Sequence, residues 1–184
     1  ELREIAEKAQ RPVITTLLGI SSFPETNRLS VGMPGMHGMA YASLAIDEAD
    51  VLIGLGMRFD DRVTGDTSKF APNAKVVHIE IDPTEINKNI HAIAPVVGDL
   101  KHALKLLIPQ IQSRSNEEWI QRIEELKIAH PLMRESHSED LLPQHIIQAI
   151  SKATNGNAIV VTGVGQHQMW AAQHFTFTRR NSFI

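Results

Sequence analysis

Four short apolar runs, each closed by a break in pattern, constrain most tightly what this chain can fold into. They are residues 13–17, 50–54, 74–81 and 95–98, carrying Val13 and Ile14, then Val51, Leu52 and Ile53, then Val76, Val77, Ile79 and Ile81, then Val96 and Val97. Each is too short for a stable helix and more continuously apolar than a half-exposed strand, which is the pattern of strands in a covered parallel sheet. Helical spacing fills the intervals. Leu2, Ile5, Ala6 and Ala9 mark a helix over residues 2–10, ended by Pro12, and Ala42, Leu44, Ala45, Ile46 and Ala49 mark one over 39–49. Asp99 is a natural N-cap for a third helix, residues 100–112, with Leu100, Ala103, Leu104, Leu107 and Ile111 as its stripe. Strands alternating with helices imply right-handed crossovers, so the expected class is α/β, a parallel sheet with helices on both faces.

The remainder reads differently. Residues 19–38 form a long stretch rich in Gly, Pro, Ser and Asn, and a loop of that length inside a compact domain is usually functional. Residues 113–140 are strongly charged, with Arg114, Glu117, Glu118, Arg122, Glu124, Glu125, Lys127, Arg134, Glu135, Glu139 and Asp140, and suggest one exposed helix leading into a linker. Residues 141–153 are helical again through Ile146, Ile147 and Ile150, and residues 158–162 read as a buried strand ending in Gly163-Val164-Gly165.

Composition removes several functions. Without cysteine there are no disulfides, thiolate metal sites or cysteine nucleophiles. A net charge of -3 gives no basic excess for nucleic acid, and no apolar run approaches the roughly 20 residues of a membrane span. Both ends read as cut, since the chain opens on Glu1 and stops at Ile184 without a cap. The portion after Leu141 is therefore expected to pack loosely or borrow contacts, because an incomplete domain cannot bury a full core.

In a parallel sheet ligands bind at the carboxyl ends of the strands, and the unusual residues fall there: Thr16 and Leu17, residues 54–61, residues 80–82, and Gly98 with Asp99. Each motif also has a plainer reading. Gly32-Met33-Pro34-Gly35-Met36-His37-Gly38 lets backbone approach a ligand ahead of a helix N-terminus, or is simply a turn-rich loop; the odds are roughly even. Gly54-Leu55-Gly56-Met57-Arg58-Phe59 begins like a dinucleotide fingerprint, but Phe59 stands in the third glycine's place, so the dehydrogenase motif is absent. Asp60-Asp61-Arg62 offers carboxylates to a metal, although such pairs more often cap turns and pair with arginine, and a hard cation needs more oxygens. Glu80 could accept from a ribose, or with Asp82 merely shape the turn before Pro83. Gly163-Val164-Gly165-Gln166-His167-Gln168 places amide and imidazole donors after a strand, or forms a capped βα turn.

Together these strings resemble the large subunit of the acetolactate (acetohydroxyacid) synthase family. The resemblance is carried by residues 35–38 (GMHG), 58–65 (RFDDRVTG), 77–82 (VHIEID) and 165–173 (GQHQMWAAQ), in the family's order and spacing across nearly the whole chain. It implies a Rossmann-like middle domain that binds FAD, over residues 1–113 with its N-terminal part missing. A charged helical linker over 114–140 and the truncated start of a thiamine diphosphate-binding domain over 141–184 complete the implied organisation. The family's FAD contacts fall on Thr16, Leu17, Pro34, Gly35, Met36, His37, Gly56, Met57, Arg58, Phe59, Asp60, Glu80, Ile81, Asp99 and Leu100, and its thiamine diphosphate contacts on Gln166 and His167.

The implied activity condenses decarboxylated pyruvate with a second 2-keto acid in valine, leucine and isoleucine biosynthesis. FAD would be mainly structural, and FAD-type residues favour the biosynthetic branch. The family's catalytic glutamate and magnesium ligands match nothing in this chain, so the piece alone is expected to be inactive. The implied partners are 2-keto acid substrates, further large subunits in a homodimer or tetramer, and a small regulatory subunit, in the cytoplasm or a eukaryotic organelle. The rivals are the middle domain of another thiamine diphosphate enzyme, such as glyoxylate carboligase or pyruvate oxidase, and a non-catalytic FAD or nucleotide module. The string at 58–65 argues against the former, and a nucleotide module would not need the string at 165–173.

Overall fold

The computed structural model describes residues 1–132 and 141–184. Arg134, Glu135, Glu139 and Asp140, the end of the expected linker, lie outside the described residues. Within them the chain forms helix α1 (Leu2–Ala9), strands β1 (Val13–Ile14) and β2 (Ser30–Gly32), helix α2 (Ala40–Glu48), strand β3 (Val51–Leu55), the short helix α3 (Asp61–Thr64) and strand β4 (Lys75–Glu80). Strand β5 (Ala94–Val97) and helices α4 (Leu100–Leu107), α5 (Glu117–Ala129), α6 (Pro143–Ala153) and α7 (Gln166–His174) follow. β1 pairs with β2, and β3, β4 and β5 form a second sheet in that order. Every strand pair is parallel, as the α/β class requires.

Local chemistry accounts for several element ends. The Asp99 side chain accepts from the His102 N–H at 2.8 Å and opens α4, and Asp82 accepts from the Thr84 N–H at 2.9 Å and opens a 3-10 turn. That turn also holds the Asp82 carboxyl below its ordinary value, chiefly through the Thr84 hydroxyl. The sequence reading missed β2, which lies inside the stretch taken as a loop. The strand expected at 158–162 is reduced to one parallel bridge between Val160 and Phe183. Backbone bonds from Val160 N–H to Ser182 O and from Thr162 N–H to Ile184 O flank it, so this segment pairs with the last residues of the chain.

One expectation about packing is overturned. The helix expected to be exposed, α5, buries Ile120, Ile123 and Leu126, each no more than 4% accessible. Its many charges occupy the outer faces, and Arg122 clasps Glu48 of α2 through Nε and Nη2 at 2.8 and 2.6 Å. The end of the chain borrows its contacts from the first part: Phe177 and Ser182 are wholly buried. Ala172, Phe175 and Phe177 join Ile123 and Leu126 in one core with Ile20, Val31, Met33, Met39, Ala42 and Ala45. The aromatic rings supply the missing area, Phe177 lying 4.7 Å from Phe175 and 5.3 Å from Phe183 between centroids. Cover is uneven elsewhere. Ile150 of α6 and Val51, Ile53 and Val97 of the three-stranded sheet remain exposed.

Glu25 ties the two ends together. Its N–H donates to Phe177 O at 3.0 Å, and the Phe177 N–H returns a bond to its Oε2 at 2.8 Å. Burial outweighs that bond and raises the carboxyl to about 7. Between the ordinary carboxylate value and 7 the folded chain thus holds a proton that the unfolded chain has lost. Stability should fall as pH rises through this window, by at most about 3 kcal/mol, and level off above it. Glu25→Gln should abolish this component: unfolding midpoints in urea at pH 5 and pH 8 should differ less in the variant, and parallel shifts in the two proteins would refute the assignment.

Candidate functional site at the carboxyl edge of the sheets

The carboxyl ends of β3, β4 and β5 lie side by side because parallel register leaves them no alternative. Gly56 N–H donates to Ile79 O at 2.8 Å and Gly98 N–H to Glu80 O at 3.0 Å, which carries the pairing past the strands into their exit loops. Gly56 adopts a φ of 60°, and a Cβ there would meet only Leu100 Cδ2, at 3.5 Å. Gly56 therefore stands next to the Leu100 side chain. Glu80 is buried, and its Oε1 accepts from the Ile81 and Asp82 N–H groups at 2.8 and 3.2 Å, leaving Oε2 without a partner among the described residues. Ile81 beside it is 66% exposed, an apolar side chain open at the same edge.

The two-stranded sheet brings its own exit loops to this edge. Thr15 N–H bonds Gly32 O at 3.0 Å, so the chain leaves β1 for Thr16 and the 3-10 turn that starts at Leu17 at the same end at which it leaves β2 for Pro34, Gly35, Met36 and His37. That segment is joined to the exit of β3 by the Met36 N–H, which donates to Arg62 O at 3.0 Å. Gly35 permits the approach: its φ is 90°, and a Cβ would stand 2.2 Å from Arg62 O. Its N–H is held by Ser43 Oγ at 3.1 Å. Strings read separately in the sequence, GMHG and RFDDRVTG, thus form one knitted backbone junction. A cleft of about 430 Å³ adjoins it, with Gly35, Met36, Ser43, Asp61 and Thr64 in its wall.

Single residues fall out unequally. Arg58 is exposed and reaches Asp60 Oδ2 with Nη2 at 3.2 Å, while Asp60 Oδ1 accepts from the Arg62 N–H. Both oxygens of Asp60 are thereby engaged in the turn-capping and arginine-pairing role weighed against a metal. Phe59 is buried at 2% with its side chain in the core with Val76 and Ala92, so only its backbone is left to the edge. Pro34 is buried, whereas Met36 and His37 are exposed.

Gln166 and His167 are not brought to this edge. Both are exposed and open α7 after Gly163 and Gly165, with the His167 ring lying back against those glycines. The opposite end of α7 touches the edge instead: Gln173 Nε2 donates to His37 O at 2.7 Å. Six residues of helix, about 9 Å along its axis, separate Gln173 from His167. Three supporting residues escaped the sequence reading: Ser43, His78, whose Nε2 lies 2.7 Å from Met57 O, and Asn89, whose Nδ2 donates to Phe59 O at 3.0 Å. His78 lay inside a quoted string; nothing local marks Asn89, 29 residues beyond Asp60.

A parallel α/β unit with glycine-rich exit loops gathered on one carboxyl edge is an architecture in which nucleotides and cofactors commonly bind. Residues 1–107 match the family described as thiamine pyrophosphate enzyme, central domain, and the chain belongs to that family. Over its whole length it is 44% identical to the probable acetolactate synthase 2, chloroplastic, of Oryza sativa subsp. japonica, covering 29% of that protein. It is 43% identical to the acetolactate synthase large subunit of Corynebacterium glutamicum and 41% to that of Mycobacterium tuberculosis, covering 30% and 31% of them. The chain thus spans less than a third of the curated relatives it matches. No helix among the described residues is long and apolar enough to cross a membrane.

Proposed function

We propose that this chain is the middle of an acetolactate synthase large subunit, in which residues 1–113 bind FAD, 114–140 form a linker and 141–184 open the thiamine diphosphate-binding domain. One observation carries the reading: the segments assigned separately to FAD come together on a single edge, with Gly56, Gly98 and the Glu80 carboxylate aligned along it. The fit to a dinucleotide is chemical. Gly56 leaves room for a ligand against its backbone, Glu80 keeps one acceptor oxygen for a ribose hydroxyl, and the capped N-terminus of α4 favours an anionic group. Gln166 and His167, exposed at the start of α7, suit the diphosphate of thiamine diphosphate.

When bound, thiamine diphosphate supplies the carbon nucleophile that joins decarboxylated pyruvate to a second 2-keto acid. This chain's part is to bind and orient; it holds no matched catalytic glutamate or magnesium ligand and is proposed to be inactive alone. The longer protein is proposed to act as a homodimer or tetramer, with a small regulatory subunit, in the cytoplasm or in an organelle. The test uses that full-length polypeptide. Its apoprotein should quench flavin fluorescence on titration with FAD and form acetolactate from pyruvate with thiamine diphosphate and magnesium. Arg58→Ala should weaken FAD binding roughly fivefold, the scale of one exposed charge contact, and Lys152→Ala on α6 should not. Failure of the wild type to bind FAD would leave this domain a spacer.

A further inference from the structure

His78 is a histidine where packing alone would place an aliphatic residue. It is fully buried at the centre of β4, opposite Gly54 on β3. Its ring lies 4.9 Å from that of Phe59 in an edge-on arrangement, and its Nδ1 has no hydrogen-bond partner. Burying an unpaired ring nitrogen is unfavourable, so such an atom asks for an explanation. The other nitrogen supplies it. Nε2 lies 2.7 Å from Met57 O, and since a carbonyl only accepts, Nε2 carries the proton.

That bond points the Met57 carbonyl inward, toward the core. In a planar trans peptide the N–H of the next residue lies on the opposite side, so the Arg58 N–H is directed outward at the carboxyl edge. No group among the described residues accepts from it. The turn is otherwise pinned by Gly56 N–H to Ile79 O and by Asn89 Nδ2 to Phe59 O, with Phe59 held at a φ of 50°. Only the Met57–Arg58 peptide depends on a side chain from the sheet for its direction. The Phe59 ring is packed so closely over Gly54 that a Cβ there would stand 2.6 Å from it, which keeps His78 and the turn in register.

We propose that His78 is a positioning residue that aims the Arg58 backbone N–H at the bound FAD, where it serves as a donor to the cofactor's polar groups. The assignment rests on the FAD reading above. The experiment is a flavin titration of full-length apoprotein, with thermal unfolding of each apoprotein in parallel, for wild type, His78→Phe and His78→Gln. His78→Phe keeps an aromatic ring against Phe59 but cannot donate, whereas His78→Gln retains an N–H for Met57 O. His78→Phe should lose roughly tenfold in FAD affinity, the scale of one misdirected hydrogen bond, with its apoprotein unfolding within a few degrees of wild type. His78→Gln should recover most of that affinity.

Wild-type affinity in His78→Phe, or equal losses in both variants at unchanged apoprotein stability, would overturn the positioning role while leaving FAD binding intact. No FAD binding by the wild type would overturn the FAD reading and this inference with it. Should His78→Phe fail to fold, the Arg58 amide resonance of isotopically labelled wild type decides: a large downfield proton shift on adding FAD is expected, and no shift while neighbouring edge amides respond would refute the proposal.

Discussion

Gly35→Ala is expected to be strongly damaging, lowering stability by about 4 kcal/mol and the unfolding midpoint by roughly 10 °C. Two effects combine. The residue sits at a φ of 90°, where a Cβ is strained, and that Cβ would lie 2.2 Å from Arg62 O and 2.9 Å from Val63 Cα. Both atoms are backbone, so no side chain can turn aside; either α3 or the exit of β2 must move. Movement breaks the Met36 N–H to Arg62 O and Gly35 N–H to Ser43 Oγ bonds, worth about 1 kcal/mol each. Gly65→Ala is the control. Its φ is 58°, but nothing lies within 4 Å, so only the backbone cost of about 1 kcal/mol applies. Thermal unfolding of the two variants side by side measures the difference, and equal losses would mean that the junction between the strings at 35–38 and 58–65 does not exist in solution.

Phe177→Ala should cost about 3 to 5 kcal/mol, the usual range for emptying a fully buried phenylalanine site. Where the loss is felt is as informative as its size. Phe177 shares its core with Val31, Met33 and Ala42 of the first part of the chain and with Ile123 of α5. Hydrogen exchange should therefore show weakened protection in β2 and α2 as well as in α7. Loss confined to residues 141–184 would mean that the end of the chain folds as an independent unit merely resting on the rest. The reciprocal backbone contacts of Glu25 with Phe177 favour the joint core, because they would be stripped at the same time.

Local signals account for what was legible beforehand. β3, β4 and β5 were readable because each is a self-contained apolar run, and α4 because Asp99 caps it in the position its sequence demands. The site segments at the strand ends were readable for a related reason: in a parallel sheet the ends are where glycines and acids interrupt the apolar pattern. β2 was hidden because three residues, Ser30–Gly32, are too few to show periodicity amid glycines and serines. The exposed reading of α5 failed because its charged residues are as numerous as its apolar ones, yet three side chains at 120, 123 and 126 suffice to bury one face.

By itself the sequence determined the α/β class, the order of most of the elements, the cap of α4 and the chemical character of the edge residues, since all of these follow from neighbours along the chain. Tertiary structure alone decided that the strings at 35–38 and 58–65 share a backbone hydrogen bond, that Asn89 holds a turn 30 residues away, that the His78 ring meets the Met57 carbonyl, and that Phe177 completes a core begun at Ile20. Such contacts join residues far apart in the chain, and their existence depends on distances of a few tenths of an ångström that no local pattern of residues encodes.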